Sequence, residues 1–180
     1  MFFIWEVAFA NPQDNAAKHR SAYAGQERRD IKSLSASDIE ALSKGEGWGL
    51  AKAAELNGVP GPVHLLELKE ALGLSAEQVA KIEALFEDMK SKAIRLGRKL
   101  IDLERKLNRH FERGTITRDL LRGLLEKIAQ VRKSLRLTHL ETHLHTPPIL
   151  TRHQLAAYNR LRGYTGGAEM DHGKHSQPGQ

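Results

Sequence analysis

The longest amphipathic segment of the chain runs from Ser75 to Arg113 and reads SAEQVAKIEALFEDMKSKAIRLGRKLIDLERKLNRHFER. Its apolar residues recur at alternating steps of three and four, at Val79, Ile82, Phe86, Met89, Ala93, Leu96, Leu100, Leu103 and Leu107. This spacing places them on one face of an α-helix. No proline interrupts the segment, so we predict one continuous helix about 57 Å long. A helix of that length needs a second long helix against which it can bury its apolar face.

A second apolar stripe supplies that partner. It comprises Leu121, Leu124, Leu125, Ile128, Val131 and Leu135. Gly114 separates the two stripes, Thr115 or Thr117 restarts the helix, and Pro147-Pro148 ends it. A connection this short predicts that the two long helices form an antiparallel hairpin.

Two nearly identical motifs begin helices. The first consists of Leu74, Ser75 and Gln78, and the second of Leu150, Thr151 and Gln154. In each, the hydroxyl caps the helix and the glutamine reaches back to the backbone of the cap. The second motif predicts a short closing helix over residues 152–162, ended by Gly163.

Three short helices are predicted before the long one. Ser35 caps the first, with Asp38 at its third position, and the helix stops after Lys44. The second spans Leu50 to Leu56, and Pro62 opens a third that runs to Leu72. The fold is therefore expected to be all-α: a long hairpin with short N-terminal helices and a short C-terminal helix.

The chain divides into a helical domain at 23–164, an N-terminal segment at 1–22 and a tail at 165–180. The first ten residues, MFFIWEVAFA, are apolar and end in a small-x-small pattern, but they lack a basic start, and Glu6 interrupts them. We interpret them as an incomplete signal peptide, and the alternative is simply an apolar N-terminus. The tail is rich in Gly, His and Gln, and we expect it to be disordered.

The charge is concentrated on the hairpin. The chain carries a net charge of +6, and residues 75–146 hold sixteen Lys and Arg against ten Asp and Glu. Such a surface suits nucleic acid, anionic lipid or acidic protein segments, or is simply a solvated face. Cysteine is absent, which excludes disulfides, thiolate metal sites and cysteine nucleophiles. Apart from the apolar N-terminus, no segment of the sequence approaches the length of a membrane span.

Enzymatic activity is not expected. The sequence contains no Gly-rich phosphate loop, no His-Glu-x-x-His motif and no nucleophile elbow. The carboxylate pair Glu87-Asp88 falls on the charged side of the long helix and does not indicate an acid–base site.

Histidines are the candidate metal ligands. His139 and His143 are four residues apart on a predicted helix, so they share a face and can bind one zinc, nickel or copper ion. Two imidazoles make a weak site, and the residues that can complete it are His64, His145, His153 and Glu67. His172 and His175 lie in the tail and can capture a metal loosely. The alternatives are a polar helix surface and an inert tail.

One side of the long helix is a candidate binding surface for unfolded proteins. It mixes cations with aliphatic residues just off the apolar stripe, namely Arg95, Arg98, Lys99, Arg105, Ile94 and Ile101. Charge attracts a client, and an apolar patch holds it without demanding one sequence. The alternative is a solvated flank whose two isoleucines are covered by a dimer partner.

These features together resemble the Spy/CpxP-like periplasmic chaperones and the related zinc-resistance-associated and heavy-metal sensor proteins. The paired Leu-Thr-x-x-Gln motifs at 74–78, with Ser for Thr, and at 150–154 carry the resemblance. The runs Gly49–Gly58 and Leu161–Tyr164 are similar to one branch of that family. The resemblance covers residues 23–164.

The resemblance implies a periplasmic homodimer that requires no cofactor. Its partners would be unfolded client proteins, held without ATP, or an envelope-stress sensor. The second possibility that it implies is a heavy-metal sensor or resistance protein that uses helical histidines. A third hypothesis, nucleic-acid binding through the basic hairpin, predicts salt-dependent DNA retention. An exported protein would have no biological use for nucleic-acid binding, so no nucleic-acid partner is expected.

Overall fold

The computed structural model describes residues 21–164 of the chain. These residues contain six α-helices and two 3-10 turns. The α-helices are α1 (Ala36–Lys44), α2 (Lys52–Glu55), α3 (Pro62–Glu67), α4 (Ala76–Glu112), α5 (Arg118–His145) and α6 (Arg152–Leu161), and the 3-10 turns are Gln26–Arg28 and Pro147–Ile149. Helix α4 has 37 residues and packs against the 28 residues of α5 as a hairpin. The all-α hairpin predicted from the sequence is confirmed.

Side-chain caps fix where the helices begin. In α1, α4 and α6, the hydroxyls of Ser35, Ser75 and Thr151 accept a hydrogen bond from the third helical N–H, and the side chain at that position accepts one from the cap. These are the three predicted capping boxes. Thr117, and not Thr115, caps α5.

Glycines in the left-handed region mark the helix ends, at Gly45 (φ 70°) after α1 and Gly114 (φ 63°) after α4. Helices α2 and α3 are shorter than predicted. No side chain caps either of them, and a helix this short gains few hydrogen bonds against the cost of nucleation. After α3 the chain continues in turns to Gly73 (φ 58°).

The main core lies between the segment that leads into α1, α1 itself and the hairpin. Its buried members are Ile31, Leu34, Leu42, Ala93, Leu100, Ile101, Ile128, Val131 and Leu135. Helix α1 approaches α4 very closely at Gly97, where an added Cβ would lie 2.1 Å from the carbonyl oxygen of Leu42. The absence of a side chain at Gly97 is therefore what allows α1 to pack on α4.

A second core closes the opposite end of the helix pair. Leu65 of α3, Leu72, Ile82 of α4 and Tyr158 of α6 are buried together there. This cluster fixes the short helices against the start of α4, so that α3, α4 and α6 meet at one end of the molecule.

The two capping motifs bind each other. The Gln78 amide nitrogen donates to Oε1 of Gln154 (2.8 Å) and to the Ile149 carbonyl (2.7 Å). The Gln154 amide nitrogen donates to Oε1 of Gln78 (3.0 Å) and to the Gly73 carbonyl (3.2 Å). Each Oε1 also accepts from the backbone N–H of its own cap (2.9 Å). We call this pair the Gln clasp, and it joins the first turns of α4 and α6.

The predicted signal peptide and the histidine tail lie outside the described residues. Within residues 21–164, no helix is both long enough and apolar enough to span a bilayer.

Candidate functional site

A cleft of about 800 Å³ opens between the loop after α1, α3 and the hairpin. Its apolar lining consists of Trp48, Ala51, Pro62, Val63, Phe86, Met89 and Ile94. Clefts of this size with mostly apolar walls are typical of binding sites. Because α3, α4 and α5 supply its walls, the cleft depends on the packing of elements that are far apart in the sequence.

The loop after α1 holds Trp48 at the edge of the cleft. Trp48 has a positive φ of 44°, which is unusual for a bulky side chain. Its indole N–H donates to the carboxylate of Asp38 (2.8 Å), and the Arg132 guanidinium lies 5.5 Å from its ring centroid. Hydrogen bonds from Ser35 and Trp48 lower the pKa of Asp38 below its usual value. The charged carboxylate therefore holds both the helix start and the indole.

The two histidines four residues apart on α5 both line the cleft, but they have different environments. His143 is 7 % exposed, and its Nδ1 bonds to the Val59 carbonyl oxygen (2.8 Å). Its Nε2 packs against Gly61, where a Cβ would lie 2.7 Å away. His139 is 2 % exposed, and its Nε2 has no hydrogen-bond partner among the described residues. Burial, and secondarily the neighbouring His143, lowers the pKa of His139.

A buried carboxylate, Glu55, joins α2 to four other parts of the fold. It is 9 % exposed. Its partners are the hydroxyl of Tyr158, the hydroxyl of Tyr164 (3.2 Å), Nδ1 of His64 (3.1 Å), Nε of Arg162 (3.4 Å) and the N–H of Gly61 (3.3 Å). We call this group the Glu55 cluster.

The Glu55 cluster favours the charged carboxylate. Burial on its own raises the pKa of Glu55, but the hydrogen bond from Tyr158 and the nearby His64 outweigh it, so that the pKa is lowered overall. Burial and the bond to Glu55 raise the pKa of Tyr158. Glu55 therefore remains an anion that accepts hydrogen bonds, and it is a structural centre at one edge of the cleft.

The structure brings together three of the predicted metal ligands, since His64, His139 and His143 all line the cleft. Nevertheless, nowhere in residues 21–164 are three His, Asp or Glu side chains grouped so that they could hold a metal ion. Nδ1 of His64 bonds to the Glu55 carboxylate (3.1 Å), and Nδ1 of His143 bonds to the Val59 carbonyl oxygen (2.8 Å). His145, His153 and Glu67 do not line the cleft. His172 and His175, the predicted ligands in the tail, lie outside the described residues.

The predicted client-binding surface is only partly exposed. Arg95, Arg98 and Lys99 are exposed, and we call them the basic flank. Arg105 is half-buried and forms ion pairs with two aspartates. Ile101 is 5 % exposed and belongs to the main core, so the prediction that it lies on the binding surface is wrong. It packs there with residues of α1, of the segment that leads into α1 and of α5.

Ile94 lines the cleft, which its spacing along the helix did not predict. Lys90, Ile94 and Arg98 follow one another at four-residue spacing along the same side of α4. The basic flank therefore continues directly from the cleft wall.

Sequence reasoning missed Glu55 and Trp48 as parts of the site. The signal for Glu55 was present: the runs 49–58 and 161–164 stood out together, and the structure joins them through Glu55, Arg162 and Tyr164. For Trp48, the glycines on both sides of it at 47 and 49 indicated an unusual loop, but nothing in the sequence showed that this loop faces α3 and the hairpin.

Comparison of the chain with protein-family models, with curated proteins and with solved structures returned no match.

Proposed function

We propose that this protein is a periplasmic, ATP-independent chaperone or envelope-stress binding protein of the Spy/CpxP type. Apolar segments of an unfolded client enter the cleft, and the basic flank holds the polar parts of the client. The observation that carries this proposal is the apolar cleft of about 800 Å³ with exposed cations continuing along α4 from its wall.

The charge distribution suits loose capture of clients. Lys44, Lys52 and Lys90 are among the cleft-lining residues, and the basic flank adds three further cations. Long-range attraction raises the rate at which acidic segments arrive. Apolar contacts then hold the client without requiring a fixed sequence, because they are not directional. Binding needs no chemical step, and we propose no catalytic residue and no required cofactor.

The capping motifs support the resemblance on which the periplasmic assignment depends. The Gln clasp gives the two motifs a common structural role, since their glutamines bond to each other. We propose that the protein is a homodimer, as the resemblance implies, and sedimentation velocity of the full chain tests that. A monomer at micromolar concentration would contradict it.

Suppression of aggregation tests the chaperone proposal. Reduced or chemically denatured model proteins are diluted into buffer with the wild-type chain, with Val63→Asp or with Leu125→Asp. Val63 lines the cleft and is 39 % exposed, whereas Leu125 is 47 % exposed and lies outside the cleft. Aspartate in the first turn of α3 is tolerated by the helix. We expect the wild type and Leu125→Asp to suppress aggregation and Val63→Asp to lose most of this activity. No effect of the wild type at several-fold molar excess would contradict the proposal.

A second candidate function is metal binding by a heavy-metal sensor or resistance protein. The observation that favours it is the shared position of His64, His139 and His143 in the wall of one cleft. His64 and His143 would keep their Nδ1 hydrogen bonds and coordinate the ion through Nε2. Calorimetry with zinc, nickel and copper on the wild type, on a His139→Ala/His143→Ala variant and on a chain lacking residues 165–180 tests it. Unchanged affinity in the double variant would remove the site from α5.

A further inference from the structure

The cleft combines its apolar wall with lysine side chains. Lys44, Lys52 and Lys90 are among its lining residues. The ammonium group of Lys90 lies 5.2 Å from the centroid of the Phe86 ring. Because Phe86 also lines the cleft, this contact places a positive charge directly beside the apolar lining. A ligand that carries a negative charge on a hydrocarbon chain matches both features.

In the part of the chain that the structure describes, two of these lysines have no carboxylate partner. Lys44 bonds to Glu40, whereas no ion pair among the described residues includes Lys52 or Lys90. Both side chains are accessible, since Lys52 is exposed and Lys90 is half-buried. Their ammonium groups are therefore available to a ligand.

The loop after α1 lies beside both of these lysines. A Cβ added at Gly45 would lie 3.0 Å from the carbonyl oxygen of Lys90, and a Cβ added at Gly49 would lie 3.4 Å from Cε of Lys52. The two glycines line the cleft together with the lysines. A single charged group at this loop can therefore approach both ammonium groups, because each is at the end of a long, flexible side chain.

Positive charge is in excess in the cleft wall, which three lysines and two carboxylates line. The carboxylates are Glu46 and Glu55. Glu55 pairs with Nε of Arg162 (3.4 Å), and Glu46 lies near Lys44. Both carboxylates thus have a cation beside them already. The remaining positive charge attracts an anionic ligand and repels a cationic one.

We propose that the cleft binds an anionic amphiphile of the class of fatty acids, with its carboxylate at Lys52 and Lys90 and its hydrocarbon chain along the apolar wall. Burial of the chain supplies most of the affinity, and the two lysines select the charge of the head group. A cleft of about 800 Å³ is within the usual range for small ligands. The proposal goes beyond client holding and can fail separately from it, because the binding is measured with no client present.

The test compares two probes that have alkyl chains of similar length and opposite charge, decanoate and decyltrimethylammonium, each below its critical micelle concentration. Their dissociation constants are measured by calorimetry at neutral pH on the full chain, as wild type and as Lys52→Gln/Lys90→Gln. We expect the preference for decanoate to be about fivefold greater in the wild type than in the double variant, the factor that two partly exposed ion pairs supply. Lys127→Gln/Lys133→Gln is the matched control, because it removes the same net charge from exposed positions of α5 outside the cleft. It should leave the preference nearly unchanged.

The fluorescence of Trp48 shows whether decanoate occupies the cleft. The sequence has two tryptophans, Trp5 and Trp48, and Trp48 lines the cleft. In a Trp5→Phe background, we expect decanoate to change the emission of Trp48 in a saturable manner. Saturable binding that leaves this emission unaltered would place the ligand elsewhere and overturn the proposal.

Three results of the calorimetry also overturn the proposal. They are the absence of saturable decanoate binding to the wild type, an unchanged preference in Lys52→Gln/Lys90→Gln, and an equal loss of preference in the control variant. The last result would mean that the overall charge of the protein, and not the two lysines of the cleft, selects the anion.

Discussion

A single hydrogen atom at Gly97 decides whether α1 can pack on the hairpin. An alanine Cβ there would lie 2.1 Å from the carbonyl oxygen of Leu42, and backbone atoms cannot move aside cheaply. We predict that Gly97→Ala lowers the free energy of unfolding by about 1–3 kcal/mol, as overpacking usually does, despite the better helix propensity of alanine. Urea denaturation followed by circular dichroism measures it.

Gly123→Ala is the matched control. Gly123 also lies inside a long helix, but a Cβ there meets nothing within 4 Å. Alanine should therefore stabilise by about 0.5–1 kcal/mol through helix propensity alone. Equal stabilisation of both variants would mean that α1 does not approach α4 this closely at Gly97.

The buried carboxylate of Glu55 leads to a prediction about pH. Its pKa in the folded protein is below the 4.5 of an unperturbed glutamate. The stability that it contributes is therefore fully present above pH 4.5 and is lost as the pH falls through the lower, folded-state pKa. We predict that Glu55→Gln lowers the free energy of unfolding at pH 7 by about 2–3 kcal/mol, because hydrogen bonds to a charged group are lost.

The wild type and Glu55→Gln should differ less in their free energy of unfolding as the pH falls below 4.5, because the wild-type carboxylate becomes protonated there. Thermal unfolding of both proteins across this range measures it. A difference that stayed constant from neutral to acid pH would mean that the charge of Glu55 does not hold the cluster together.

Between helices, the Gln clasp is the contact with the clearest energetic consequence. The two glutamines bond to each other and also complete the caps of α4 and α6. We predict that Gln78→Ala and Gln154→Ala each cost about 1–2 kcal/mol, and that the double variant costs less than the sum. Thr117→Ala, which removes an isolated cap from α5, should be additive with either one. Additivity of the two glutamine variants would contradict the clasp.

The sequence predicted individual helices better than contacts between them. Caps and left-handed glycines are local signals, so the starts of α1, α4 and α6 and the ends of α1 and α4 agree with the predictions. Contacts that join distant segments have no such signal. Glutamate usually lies at the surface, yet Glu104 is only 6 % exposed. Its buried carboxylate accepts hydrogen bonds from Ser33 (2.9 Å) and Arg132 (3.3 Å).

The same limit explains the candidate site. Helical spacing correctly placed His139 and His143 on one face, because that relation is internal to a single helix. It could not show that α3 faces the hairpin and brings His64 into the same cleft, or that Ile101 belongs to the main core. These relations depend on how the whole chain packs, and Gly97, the residue that permits the packing of α1, looks in the sequence only like a weak point in a helix.

Capture of clients in the cleft is the central claim about the molecule, and site-specific photo-crosslinking tests it most directly. A photoreactive phenylalanine analogue replaces Val63 in the cleft in one variant and Leu125 outside it in another; the two positions are 39 % and 47 % exposed. Each variant is illuminated with a denatured model protein. We predict strong crosslinking to the client from position 63 and little from position 125. Equal crosslinking from both positions, or more from position 125, would contradict the account.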